Sequence, residues 1–331
     1  MTTINDIAKM AGVSRSTVSR FLNKNGYVSE EAAKRIQDVI HDTGYMPSQS
    51  AQSLRTKKSG VIGVILPKIS TETASRVVSG INQFLQKNHY QVLLADTSLN
   101  HEKEIEFIRL LQSRNVDGII LLGTHISTEL MRAIQESRVP IVVIGQDMPE
   151  TTSVIYPDYL ATVEMIEYML ERKYRQIAYI GVGGEEDPAI GIERKRAYVD
   201  TLKKYHLTVR EQWIQLGGDF SIESGYQAMR RLMETSSSRP DAVFVVTDRM
   251  AIGAIQYLKD HQYRIPENVA IGATGASTLS KYLEPSLTTI DFQNEEAGTL
   301  AAQLMMKALE GEDEVEKKVI HSYRLLKRDS V

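Results

Sequence analysis

From residue 61 onward, short apolar runs alternate with longer segments of helical periodicity, and this alternation limits the fold more than any other feature of the 331-residue chain. The runs are Val61–Leu66, Gln91–Ala95, Gly118–Leu122 and Ile141–Ile144, then Gln176–Ile180, Ala242–Val246 and Val269–Gly272. Between them lie Thr73–Lys87, Glu102–Ser113, Thr128–Ser137, Tyr159–Arg172, Ile192–Tyr205, Ile222–Glu234 and Met250–His261, which read as helices. Short apolar strands separated by helices imply parallel sheets covered on both faces, because a parallel pair needs a crossover that a helix supplies. Residues 59–331 are too many for one ordinary core, so two α/β lobes are expected.

A different pattern precedes that body. Ile4, Ile7 and Ala8 recur at helical spacing, Gly12 offers the positive φ of a sharp turn, and Ser14 is placed to cap a second helix. On that helix Val18, Phe21 and Leu22 point inward, while Ser16, Ser19, Arg20 and Asn23 share the opposite face with Arg15 beside them. Arginines among small hydroxyls suit phosphate oxygens and guanine edges; the competing reading is a solvated helix face. A third helix is expected over about Glu30–Thr43, capped by Ser29, stopped by Gly44, with Ala33, Ile36, Val39 and Ile40 inward. Residues 1–60 hold nine Lys/Arg against five Asp/Glu, a net +4 on a chain of net −3, which leaves −7 on the remainder. A basic head on an acidic body is the asymmetry expected of a polyanion binder.

The run Asp6-Ile-Ala-Lys-Met-Ala-Gly-Val-Ser-Arg-Ser-Thr-Val-Ser-Arg20, then Val28-Ser29 and Gly44-Tyr-Met-Pro-Ser48, resembles the LacI/GalR family of bacterial transcription regulators, and the resemblance extends over essentially the whole chain. It implies a small all-α helix-turn-helix head (1–46), a hinge helix and linker (47–58) and an α/β two-lobed, periplasmic-binding-protein-like body with parallel sheets (59–331). Base reading then falls on Arg15, Ser16 and Arg20, and phosphate contacts on Thr17, Ser19 and Asn23. In the hinge, Pro47 and Ser48 precede Gln49–Leu54, a segment too short to be helical alone. The family folds this segment in the minor groove, which assigns Ala51 and Leu54 to DNA, Leu54 as the wedge. One head covers a half-site, so a homodimer on pseudo-palindromic double-stranded operator DNA is implied. No leucine heptads follow the strand-like Val319–Leu326, so a dimer is expected in preference to a coiled-coil tetramer. The resemblance divides the body into lobe 1 (about 59–157 and 292–317) and lobe 2 (about 160–289 and 318–331). The chain crosses near Pro157–Leu160, Thr289–Phe292 and Lys318.

Effector contacts carry over where the local match holds. Arg194 lies in Glu193-Arg-Lys-Arg-Ala-Tyr198, and its fork suits sugar hydroxyls or a phosphate. Phe220 follows Gly218-Asp219 as a stacking platform; Thr247 and Asp248 stand at a strand end; Asp291 and Phe292 fall at a crossover. Each has a plain structural alternative: Phe220 as core, Arg194 paired on a surface with Glu193 or Asp187, Asp248 as a helix cap. Where the family usually has a glycine, an aromatic and an aspartate, this chain has Gly275-Ala276-Ser277, a departure that resembles trehalose-type repressors. With Lys68 near the cleft mouth, the missing carboxylate is compatible with a sugar phosphate; a neutral disaccharide held by Ser277 and backbone groups is the equal alternative.

Other signals exclude chemistry. Gly181-Val-Gly-Gly184 follows a strand, but the acidic Glu185-Glu-Asp-Pro188 replaces the helix start that a dinucleotide site needs. There is no Walker-type phosphate loop. The seven histidines show no metal-ligand pairing, and the absence of cysteine removes disulfides and thiolate zinc sites. No cofactor and no metal are expected, and no apolar run approaches membrane-spanning length, which points to the cytoplasm. The expectation is a sequence-specific repressor of sugar-utilisation genes, gated by a small sugar or sugar phosphate in the interlobe cleft. The alternatives are a global catabolite regulator controlled by a protein partner, and a sugar-modifying enzyme carrying a DNA-binding head.

Overall fold

The computed structural model describes residues 2–23, 25–45, 58–182, 189–217, 219–235, 238–311 and 317–331, and forms two compact units, Met1–Gly60 and Val61–Val331. Pro47, Ala51 and Leu54 of the expected hinge lie outside the described residues, as do Gly218 and the glycine-rich 183–188 segment.

In the head, helix Ile4–Ala11 begins with a reciprocal cap: Thr3 Oγ1 accepts the Asp6 amide at 3.3 Å, and Asp6 Oδ2 accepts the Thr3 amide at 2.9 Å. The Thr3 hydroxyl and amide hold the Asp6 carboxyl below its usual range. Gly12 then takes φ 64°, and helix Arg15–Asn23 starts after Ser14. Helix Glu30–Thr43 is capped by Ser29, whose side chain accepts the Ala32 amide, and ends on Gly44 at φ 60°. Ile7, Ala8, Ala11, Val18 and Ile36 close the core, with Phe21, Leu22, Val39 and Ile40 packed around it. One expectation shifts by a residue: Ala32 is buried and Ala33 is only half-buried, because Ala32 lies four before Ile36 on the inward stripe.

The body contains two six-stranded sheets among the described residues, one per lobe. The first holds β1 (Val61–Leu66), β2 (Gln91–Asp96), β3 (Gly118–Leu122), β4 (Ile141–Ile144), β5 (Thr152–Ile155) and β11 (Lys318–Ile320), in the order β11-β5-β4-β3-β1-β2. The second holds β6 (Ile177–Gly181), β7 (Ile214–Leu216), β8 (Ala242–Val245), β9 (Ala270–Thr274), β10 (Thr288–Asp291) and β12 (Arg324–Leu326), in the order β12-β10-β9-β8-β6-β7. Every pairing is parallel except that of β12 with β10. The unbroken apolar character of β1 has its cause here. Ile62, Val64 and Leu66 face one core with Val77, Ile81 and Leu85, while Ile65 faces another with Ile108 and Leu111.

Each lobe also packs one pair of helices at glycine contact. A Cβ on Gly298 would fall 2.1 Å from the Val77 carbonyl, where helix Asn294–Glu310 crosses helix Glu72–Lys87. A Cβ on Gly253 would fall 1.9 Å from the Ile222 carbonyl, where helix Asp248–Asp260 crosses helix Ile222–Thr235.

The chain passes between lobes after β5, after β10 and between β11 and β12. The expected single strand over Val319–Leu326 is therefore two strands in different sheets. Val319 pairs with Val154 in the first sheet and Leu325 with Ile290 in the second, which puts the third passage at His321–Tyr323 instead of near Lys318. The short strands β5, β7 and β10 were not expected, since their three or four residues carry too few apolar positions to set a period. No helix among the described residues is long and apolar enough to cross a membrane.

Candidate functional site

Two surfaces carry chemistry, one in each unit. In the head, Ser14 Oγ accepts the Thr17 amide at 3.1 Å and stands 2.7 Å from Ser16 Oγ and 2.8 Å from Thr17 Oγ1. This hydroxyl cluster orders the first turn of helix Arg15–Asn23, whose amides form the positive end of the helix. Arg15, Ser16 and Arg20 are exposed, and Thr17 and Ser19 are half-buried. The Arg20 stem passes close to Gly26, where a Cβ would meet its Cδ at 3.4 Å, so the loop after the helix confines that side chain. The helix contains no carboxylate, leaving two arginines on a face of hydroxyls. The Asn23 side chain, Ala51 and Leu54 fall outside the described residues.

In the body, the carboxyl ends of the strands from both sheets converge on a cavity of about 130 Å³. Of the expected effector residues, Lys68, Arg194, Phe220, Thr247, Asp248 and Phe292 line it, while Ser277 and Asp291 do not. Phe220 holds φ 62°, in the left-handed region that a bulky side chain avoids at a cost of about 1–3 kcal/mol, and its ring is half-buried at the cavity wall. Tyr156 and Phe292 add further aromatic wall, their ring centroids 5.2 Å apart.

Arg194 is not paired on a surface. It is buried against Asp158, with Nε at 2.8 Å and Nη2 at 2.7 Å from the same carboxylate oxygen, Nη1 donating to the Val246 carbonyl, and the guanidinium 5.5 Å from the Phe292 ring centroid. Burial pushes the Asp158 carboxyl up from its ordinary range, and Arg194 pulls against that. Asp248 is not the helix cap; Thr247 is, its Oγ1 accepting the Met250 amide at 3.3 Å. Asp248 instead accepts the Ser277 amide at Oδ2, with Oδ1 close against Gly275, where a Cβ would stand 2.8 Å away. Burial raises the Asp248 carboxyl while the Ser277 donor opposes it. Ser277 itself is buried beside this carboxylate. Asp291 accepts the Gln293 amide at 2.9 Å and lies 3.6 Å from Arg76 Nη1.

Residues 68–76 of lobe 1 clasp lobe 2 across the cleft. Lys68 Nζ meets Asp219 Oδ2 at 3.3 Å, and Arg249 Nη1 donates to the Ser70 carbonyl at 3.2 Å. Glu72 Oε1 accepts both the amide and the hydroxyl of Thr278 at 3.2 Å, and Arg76 Nη1 donates to the Ala276 carbonyl at 3.2 Å. Sequence reasoning missed Glu72, Thr124, Tyr156 and Asn294, all of which line the cavity. The available signal was position: each follows closely on a strand's carboxyl end, where parallel sheets place ligands. Asn294 accepts the Tyr156 hydroxyl proton at 2.9 Å, a buried polar pair at the cavity floor.

The histidines also require a correction. His101 and His125 are brought together with Glu104, their ligating atoms all within 4.8 Å of one another, because two successive strand-to-helix loops of lobe 1 meet there.

Comparison with known proteins finds a match for each of the two units. Residues 3–48 match the model of bacterial regulatory proteins of the lacI family, and residues 166–331 match that of a periplasmic binding protein-like domain. The sucrose operon repressor of Staphylococcus xylosus is 30% identical over 97% of this chain and 97% of its own. Catabolite control protein A of Priestia megaterium is 29% identical over 94% and 93%. Among solved structures, the lac repressor dimer bound to operator and an anti-inducer superposes with a TM-score of 0.88 at 22% identity, covering 99% of this chain and 98% of that one.

Proposed function

The chain belongs to the lacI family of bacterial regulatory proteins, and on that premise we propose that it is a homodimeric transcriptional repressor of sugar-utilisation genes, gated by a neutral saccharide in the interlobe cleft. The observation that carries the effector class is the charge balance of the cavity wall. Lys68 faces Asp219, Arg194 faces Asp158, and Arg249 is engaged by the Ser70 carbonyl, so each lining cation already has a partner. A phosphate would have to break one of those contacts and would also meet the carboxylates of Glu72 and Asp248. A sugar ring needs stacking surface and hydroxyl partners, which Phe220, Phe292, Thr124 and Asn294 supply. This favours the neutral sugar over the sugar phosphate.

Arg15, Ser16 and Arg20 read base edges, and Thr17, Ser19 and Asn23 hold phosphates, with Ala51 and Leu54 of the hinge in the minor groove. One head per half-site makes a two-fold dimer the natural reader of a pseudo-palindromic operator in the cytoplasm. Control by a protein partner is the reading that likeness to a catabolite control protein would favour; the aromatic-walled cavity weighs for a small ligand. The role involves binding without turnover.

The test is a thermal-shift and calorimetric titration with glucose, trehalose, sucrose, maltose and their 6-phosphates. A neutral sugar should bind more tightly than every phosphate, and Phe220→Ala should weaken it about tenfold, since losing an aromatic stack costs about 0.5–1.5 kcal/mol beyond area. A phosphate that outbinds all the neutral sugars sinks the effector assignment.

A further inference from the structure

A charged cluster stands beside the cleft but is used by none of the contacts above. His101 is the first residue of helix His101–Ser113, Glu104 lies one turn on, and His125 sits on the loop after β3. Glu104 is 1% exposed, yet its Oε2 makes no hydrogen bond among the described residues, and neither does the buried His125 Nδ1. The two atoms lie 3.2 Å apart, and the His101 and His125 ring centroids are 3.6 Å apart. A buried carboxylate oxygen whose facing imidazole, 3.2 Å away, makes no hydrogen bond to it is costly, and a cation held between the two would offset that cost.

We propose that His101, Glu104 and His125 form a binding site for a divalent transition cation of the zinc type. Two imidazoles and one carboxylate are a donor set for such a cation; calcium and magnesium require oxygen ligands. With metal–ligand bonds of about 2.0–2.1 Å, tetrahedral ligand atoms stand about 3.3–3.4 Å from one another, close to the 3.2 Å found between Glu104 and His125. Spacing also fits, since His101 and Glu104 at i and i+3 share one face of the helix. The cation would join the start of this helix to the loop after β3. Leu99 and Thr124, two residues and one residue away from the histidines, line the cavity, so bound metal would stiffen one rim of the cleft. The site depends neither on DNA nor on the identity of the sugar.

The experiment is competition for zinc between the chelator-stripped full-length protein and a chromophoric chelator, read beside magnesium and calcium. One zinc per chain is expected, with no comparable uptake of magnesium or calcium. Glu104→Gln and His125→Gln should each weaken zinc at least about tenfold, because even indirect supporters of a metal site cost 10–100-fold. The exposed His41→Ala in the head should leave it unchanged. Cobalt(II) should give visible d–d absorption in the wild type that Glu104→Gln alters, a reading that needs no disruptive variant. Zinc affinity equal in wild type and Glu104→Gln, or no zinc bound at micromolar concentration, overturns the site and identifies a plain His125–Glu104 ion pair.

Discussion

An Arg194→Met variant is expected to lose about 3–5 kcal/mol of stability, because it strands the Asp158 carboxylate in the interior after its partner is gone. The Val246 carbonyl is not stranded, since Thr274 Oγ1 also donates to it, at 2.6 Å. The loss should depend on pH in a defined sense. Burial already raises the Asp158 carboxyl above its ordinary value of 3.8, and removing Arg194 takes away the opposing pull. A carboxyl raised in the folded state favours folding while it is protonated and ceases to do so as pH rises through its folded value. The variant's deficit should therefore be smallest at acid pH, near 4, and grow toward neutrality, as read from denaturant midpoints. Adding Asp158→Leu should recover most of the stability, since exchanging a buried pair for apolar groups is often neutral or favourable. Saccharide binding should not return with it. Recovery of both would make Arg194 a folding residue with no part in the cleft.

Arg20→Ala is expected to weaken operator binding by about 1–3 kcal/mol per half-site, roughly fivefold to 160-fold, if its fork reads a base edge. Its exposure and confinement by Gly26 support that role, and removing it from both protomers should about double the free-energy loss. Nonspecific duplex should lose far less, because one phosphate-directed charge changes the salt dependence by about one unit of slope. Anisotropy titrations of both duplexes at one salt concentration separate the cases. Equal losses on operator and nonspecific DNA would leave Arg20 a phosphate contact only.

The elements that sequence reveals are those whose causes are local. The Ser14 and Ser29 caps, the turn at Gly12 and the apolar runs of β1, β3 and β4 depend on neighbours a few residues away. Arg194, Phe220 and Asp248 were legible as cleft residues, but their partners were not. Arg194 answers to Asp158, 36 residues earlier, and Lys68 to Asp219, 151 residues later. Asp248 works through the backbone of Ser277, a contact that carries no trace in residue type. The same distance hid the His101–Glu104–His125 cluster, whose members read singly as scattered histidines and a helical glutamate. The division of 319–326 into two strands was invisible because both halves are apolar and extended; only the sheet each joins separates them.

Whether ligand in the cleft sets DNA affinity is read by one measurement on the whole 331-residue chain. Operator selected from a random duplex pool is titrated with and without the saccharide that binds most tightly, at fixed salt, for wild type and Phe220→Ala. The sugar is expected to change operator affinity 5- to 150-fold in wild type, the usual range of coupling between sites, and Phe220→Ala is expected to shift this response to higher sugar concentration. Operator affinity that stays constant while the sugar saturates the cleft would contradict this coupling.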